Sequence, residues 1–518
     1  MILALALLPP LLAVALLAAP GMQRRVLTAT PWLPLAALPA ALAPPPPMEL
    51  EFLLLGLRLG LEPWAQPLLA ATALLWACAG WALRHGGPVS VPRLLAWQLT
   101  LAGNLGALMA LDEPGFYLFF ALLSIAAYGV VVRNRAARGA ARTYLAVALF
   151  AELLLLAGLM LLALGRPGPT AGVLLLFGLG AKLGMLPLHF PLPPAYAATD
   201  AAGAAVFGGG LTMAAVAGWL RFVPQVGTQP ELAIYALAAG LAAAFLGAAA
   251  GLLQRDSRAL LAYSTISQMG IVTAGLGLAL AGPAPLVAAP LALFALHHGL
   301  TKAALLLGTG AGGPLVLTGL ALLSLALAGA PLSGGALAKA WLESMGEGAP
   351  ALAEMAHGWL PFTSAATALL MARFLWLMRG AATRSGQRGP FAALTVTALA
   401  APWLALLYLH PQPTELVKGW ATLWPLLVAA GVLALAWPLR TRIGRWRLPP
   451  GDLVVVAAPL GRLLYRAAAA WGSGRPPRLL QLSRFAPRAL ERHLRGLPGT
   501  GVVLFALVLL FAVVLALG

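Results

Sequence analysis

Four lysines stand among the 33 basic residues of this 518-residue chain, and three of them, Lys182, Lys302 and Lys339, lie inside strongly apolar stretches. Arginine holds its proton under almost any conditions, whereas a desolvated lysine can be pushed towards neutrality and can load and release one. An ionisable side chain away from the ends of a membrane span is expensive and therefore points to function. His298 and Lys302 are four residues apart, so on a helix they project from one face and can pass a proton directly or through one water. Histidine titrates near neutrality and buried lysine can be drawn towards it, so His298, Lys302, Lys182 and Lys339 together make a lateral relay through the middle of a membrane. His297 reads instead as a packing or hydrogen-bonding residue, and Lys418, beside Glu415 at a helix start, as a snorkelling side chain.

The elements that position these groups follow from composition. With 61% hydrophobic and 9% charged residues and a mean hydropathy of +0.90, the chain lies far outside soluble composition. Apolar runs of a length to cross a bilayer recur throughout. The expected class is an all-α polytopic membrane protein with about 14–16 transmembrane helices. The net charge of +18 is carried nearly all by arginine in short loops between apolar runs, as the positive-inside rule places in the cytoplasm, so nucleic acid is not an expected partner. The lone Cys78 gives no disulfide framework. The run 2–20 has no basic segment before it and Arg24 and Arg25 after it, and reads as a first span with its N-terminus outside.

Sixteen spans are expected, over 2–20, 31–43, 65–83, 93–111, 115–132, 143–164, 171–190, 203–223, 231–253, 259–280, 285–308, 314–345, 360–378, 391–409, 418–437 and 500–517. Charge parity checks the count: the basic loops at Arg24/Arg25, Arg84/Arg93, Arg133 to Arg142, Arg255/Arg258, Arg379 to Arg388 and Arg440 to Arg495 are separated by even numbers of spans. All six share the cytoplasmic side, Arg166 and Arg221 fall on the other, and both termini come out external. The span at 31–43 is short and runs into Pro44 to Pro47. Two runs are expected to be broken helices, one around Lys182 continuing into Pro187, Pro191, Pro193 and Pro194, the other interrupted by Pro331, Ser333, Gly334 and Gly335 beside Lys339. Each is the fourth span in a set of five, giving two inverted five-helix repeats at 93–223 and 231–378. They are preceded by N-terminal helices at 1–92 and followed by further spans at 391–437. A basic amphipathic segment at 438–499 is expected on the cytoplasmic interface, before the last span within 500–518.

Four motifs resemble the antiporter-like, proton-translocating subunits shared by respiratory complex I, membrane-bound hydrogenases and formate hydrogenlyase, and Mrp-type sodium/proton antiporters. Gly180-Ala-Lys-Leu-Gly-Met-Leu-Pro-Leu-His189 is similar to that family's broken seventh helix, where the lysine is the central proton carrier. Leu261-Ala-Tyr-Ser-Thr-Ile-Ser-Gln-Met-Gly270 is close to its tenth-helix signature. His297-His-Gly-Leu-Thr-Lys302 resembles its eleventh helix, and Pro331-Leu-Ser-Gly-Gly-Ala-Leu-Ala-Lys339 its broken twelfth helix with a terminal lysine. The resemblance covers roughly residues 60 to 380.

The departures matter as well. The carboxylate that the family carries on its fifth helix as partner to the central lysine is Ala121 here. Glu152 is the only acidic residue between Glu113 and Asp200, and it either supplies that partner to Lys182 from the next span or serves another contact or a subunit interface. Phe294 stands where some members carry a histidine, and the usual Trp-Leu-Pro-Asp-Ala-His continuation reads Pro191-Leu-Pro-Pro-Ala-Tyr196. The resemblance implies a subunit of a multi-subunit energy-transducing complex in a bacterial inner membrane, moving protons, with sodium/proton exchange as a variant. Its partners would be other membrane subunits and the lipid bilayer. No motif for a cofactor, metal or redox centre occurs, so energy would come from partners such as an NADH:quinone oxidoreductase-like or hydrogenase-like assembly. The competing expectations are an autonomous secondary cation/proton transporter and a structural membrane subunit that has lost transport.

Overall fold

The computed structural model describes residues 2–51, 56–282, 288–345, 350–380, 385–416 and 419–436, with two isolated residues beyond. Lys418, the amphipathic segment expected to 499 and the span expected at 500–517 lie outside the described residues. The chain opens with α1 (Ile2–Leu16), α2 (Gln23–Ala29) and a 3-10 turn (Leu33–Ala37) leading into α3 (Leu38–Leu42), then an antiparallel hairpin of β1 (Met48–Leu50) and β2 (Leu57–Leu59). It continues as α4 (Ala65–His85), α5 (Val91–Met109), α6 (Glu113–Val131), α7 (Arg138–Ala163), α8 (Pro169–Leu183) and α9 (Leu192–Ala198). Next come α10 (Ala201–Ala205), a π-helical turn (Val206–Leu211) and α11 (Thr212–Phe222), followed by α12 (Pro230–Leu252), α13 (Ser257–Ala281) and α14 (Ala288–Gly308). The described chain closes with α15 (Pro314–Ala328), α16 (Gly334–Glu343), α17 (Pro350–Met378), α18 (Arg388–Leu409) and α19 (Gly419–Ala436).

Apart from the short hairpin, the described residues form a helical, multi-pass membrane fold, in which ten stretches are long and apolar enough to cross a bilayer. The first fifteen expected spans fall on helical segments. The span at 31–43 is the shortest: at about 1.5 Å per residue its ten helical residues reach only about half of a ~30 Å hydrocarbon core. Prolines 44–47 carry the chain onward to the hairpin without helix.

Hydrogen bonds sort the loops into two faces. On the first, Gln23 donates to the Val89 carbonyl and Arg93 pairs with Asp200 at 2.6 Å. Arg258 reaches the Thr199 carbonyl, and the Thr199 hydroxyl donates to Val130 O at 3.3 Å. Gln387 donates to Ala82 O at 3.0 Å, Arg388 to Gly312 O at 3.2 Å and Arg373 to Gln254 O at 3.3 Å. These bonds tie together five of the arginine-rich loops, as charge parity requires. At the opposite end Arg221 grips Glu62 at 2.6 and 2.8 Å and donates to the carbonyls of Ala107, Leu108 and Ala110, anchoring the hairpin end of the chain onto α5.

Both expected breaks are present. Gly184 ends α8 in the left-handed conformation (φ 76°), and the chain turns through a cis Leu186–Pro187 bond before α9. Gly329 does the same for α15 (φ 89°), and the Ser333 hydroxyl caps α16 by accepting from Ala336 N at 3.3 Å. A positive φ costs glycine little because it lacks Cβ, which is why each half-helix can stop inside the bundle. At the centre α14 is packed on by α4, α10, α11, α13, α15, α16 and α18, and from Pro290 to Gly308 every residue is buried.

Candidate functional site

Each of the three apolar-run lysines is buried, and each has a different partner. Lys182 lies in the last turn of α8 and Glu152 midway along α7. Lys182 Nζ stands 3.4 Å from Glu152 Oε1, with the two side chains only 4% and 5% exposed. The aromatic rings of Phe120 and Tyr144 flank the ammonium, at 6.0 and 5.7 Å from their centroids. The last turn of a half-helix exposes carbonyls with a partial negative charge, a further favourable setting for a cation. One turn on from Phe120 in α6 lies buried Ser124, whose carbonyl accepts from Tyr144 OH at 3.2 Å. A buried pair of this kind gains little net stability, but removing one partner leaves an uncompensated charge.

Lys302 sits on fully buried α14 and donates to Ser264 Oγ of α13 at 2.6 Å. No carboxylate pairs with it among the described residues. His298 precedes it by one turn, is fully buried, and neither of its ring nitrogens hydrogen-bonds within the described protein. Such an imidazole, at hydrogen-bonding range of nothing fixed, suits a group that works through exchangeable water. Space for Lys302 is made by the π-helical turn, because a Cβ on Gly208 would come within 2.9 Å of its Cγ.

Lys339 lies within α16, just past the second break, and reaches back to the end of α15. Its ammonium donates to Ser364 Oγ of α17 at 2.8 Å and to the Ala328 carbonyl at 3.3 Å. Lys182 therefore touches a carboxylate, whereas the direct partners of the other two lysines are neutral oxygens, with the Glu343 carboxylate one turn along α16 attracting Lys339 from further away.

Aromatic rings fill the space from the first lysine towards the second. The ring of Phe207, on the π-helical turn, lies 5.1 Å from that of Tyr144 and 6.2 Å from that of Tyr196. A Cβ on Gly208 would meet both Lys302 and the Tyr196 hydroxyl, so Tyr196 borders Lys302 as Tyr144 borders Lys182. Reasoning from sequence missed Ser264, Ser364 and Tyr144. Ser264 was signalled by the Leu261 to Gly270 motif that contains it, whereas a lone serine on a hydrophobic helix such as Ser364 carries no mark of its position.

In sequence and in fold the chain is similar to antiporter-like membrane subunits. Residues 169–314 match the family described as NADH:quinone oxidoreductase/Mrp antiporter, transmembrane. That stretch includes Lys182, His298 and Lys302, with Glu152 and Lys339 outside it. The chain is 30% identical over 237 residues to hydrogenase-4 component B of Escherichia coli, covering 40% of this chain and 35% of that protein. It is also 30% identical over 239 residues to a Na(+)/H(+) antiporter subunit of Alkalihalophilus pseudofirmus, covering 41% of this chain and 47% of that one. The alignments thus span less than half the length of either relative. In structure, the chain is similar to the Mrp complex from a Dietzia species, with a TM-score of 0.73 at 20% identity, over 97% of this chain and 62% of that one. The chain is therefore similar in sequence to membrane subunits of hydrogenase, Mrp and complex I type, as the four motifs implied, and similar in fold to the Mrp complex.

Proposed function

We propose that this chain is the ion-translocating subunit of a multi-subunit, energy-transducing complex in a bacterial cytoplasmic membrane. It moves protons along a lateral path through Glu152, Lys182, Lys302, His298 and Lys339, with sodium as a candidate exchanged ion. The observation that carries this reading is the set of three buried lysines, two of them beside helix breaks, each held by a side chain that can share or accept a proton. Ionisable groups so deep in an apolar bundle are costly to keep for packing alone. The residues 93–223 and 231–378 act as two inverted repeats that place the breaks in corresponding positions. The basic loops face the cytoplasm and both termini face outward. Energy enters from partner subunits.

The test is purification from native membranes followed by reconstitution in liposomes. A subunit co-purifies with other membrane or hydrophilic chains, and the assembly generates a pH gradient that the isolated chain does not; a sodium requirement for that gradient would identify exchange. An isolated chain that transports unaided would replace this reading with an autonomous transporter.

A second reading, a structural subunit without transport, is favoured by Ala121 and by the apolar ring of Phe207 between the two tyrosines. It requires the assembled complex to translocate equally well when Lys182 is alanine.

A further inference from the structure

His297 is a buried titratable group that the path above does not use. On α14 it is rotated by about 100° from His298, so it leaves the face shared by His298 and Lys302. Its Nδ1 lies 3.4 Å from the hydroxyl of Thr301, one turn along the same helix. The rest of the ring enters the second helix break. A Cβ on Gly334 would fall 2.9 Å from Nδ1, and one on Gly335 would fall 2.9 Å from Nε2 and 2.0 Å from the Ala326 carbonyl. The ring therefore occupies a notch that only glycine leaves open at both positions. Gly335 and Lys339 are four residues apart on α16 and share a face. Lys339 donates to Ala328 O, two residues beyond Ala326 at the carbonyl end of α15. His297 and Lys339 thus meet the same half-helix terminus, whose Ala326 carbonyl accepts from Gly329 N at 3.1 Å and from the Ser333 hydroxyl at 3.3 Å.

We infer that His297 is a proton-relay residue that connects the central helix to Lys339 across the break, a role beyond packing that rests on the translocation reading above. His298 and Lys302 occupy one face of α14, and His297 carries the proton round to the neighbouring face that opens on the break. An imidazole accepts a proton at one nitrogen and gives one up at the other, so no net chemistry is required. Thr301 holds Nδ1 and leaves Nε2 directed at the Gly335 side.

The test compares His297→Gln and His297→Asn with wild type and Lys182→Ala, all in the purified complex in liposomes, reading proton uptake and thermal stability together. The amides preserve a polar contact to Thr301 but cannot carry a proton through two nitrogens. A relay predicts that an assembled His297→Gln complex of near wild-type melting temperature loses proton uptake by roughly 100-fold, the scale of a lost positioned acid–base group. Uptake within twofold of wild type by an assembled His297→Gln complex would overturn the inference. If neither amide assembles, isosteric Thr301→Val decides: a several-fold slower uptake supports the relay and an unchanged rate overturns it. The underlying reading fails separately, when Lys182→Ala pumps like wild type, so loss in Lys182→Ala with full activity in His297→Gln condemns only this inference.

Discussion

The intervals on either side of Lys302 are built from different materials. Towards Lys182 lie Tyr144, Phe207 and Tyr196, two phenols with a carbon ring between them. Towards Lys339 lie His298, His297 and Thr301, all polar and all on α14. The first interval ends on an ion pair, the second on a lysine held by a hydroxyl and a carbonyl. The difference teaches that burial alone does not define a pathway. One interval carries a proton acceptor on each of these side chains, whereas the other has between its two phenols a ring that has none. Phe207 sits on a π-helical turn, whose irregular backbone is a frequent feature of functional sites. The Thr212 hydroxyl donates to the Gly208 and Gly209 carbonyls, at 3.0 and 2.8 Å, within that turn.

Lys302 belongs to both intervals, so its loss breaks both at once. Lys302→Met should lower proton uptake by about 100-fold or more. The complex should stay assembled, because replacing a desolvated ammonium with an apolar chain of similar length is tolerated in a core. Uptake in liposomes together with subunit composition on a gel checks both halves of this expectation.

Glu152→Gln attacks the first interval alone. It leaves Lys182 buried without its counter-charge, a change on the scale of about 3–5 kcal/mol, so thermal stability and uptake should both fall. Adding Ala121→Glu should recover part of the uptake, because a carboxylate then returns on α6. A double variant no better than Glu152→Gln would mean that position 121 cannot reach the lysine.

Ser364→Ala attacks the second interval and should be milder. It removes one neutral partner and leaves the Ala328 carbonyl, which puts the cost at about 1–3 kcal/mol, measurable as a lowered melting temperature with uptake reduced several-fold. Tyr144→Phe keeps the ring over Lys182 and deletes only the bond to Ser124 O, so a loss of about 0.5–1.5 kcal/mol is expected, with uptake close to wild type.

Much of this was legible in sequence because membrane folding leaves strong marks. Apolar length located the helices, arginine placement sorted the loops onto one face, and proline and glycine beside Lys182 and Lys339 located the breaks. What was not legible depends on rotation and on distant packing. Ala121 marked a missing carboxylate, but only the packing of α7 against α8 brings Glu152 to 3.4 Å from Lys182. Ser364 lies 25 residues from Lys339 on a helix where it sits between Thr363 and Thr367 with nothing in the sequence to set it apart. His297 looked like a packing residue because its neighbour matched the four-residue spacing to Lys302. The notch at Gly334 and Gly335 that receives it is formed only when α16 meets α14.

The central claim is that Lys182 exchanges a proton during turnover, and the most direct measurement is proton uptake by the reconstituted complex carrying Lys182→Ala or Lys182→Arg. Both variants should assemble with the same subunits as wild type. Alanine has no group to carry the proton, and a guanidinium keeps its own under all working conditions, so both should leave uptake at the level of empty liposomes. Wild-type uptake by either assembled variant would contradict the account.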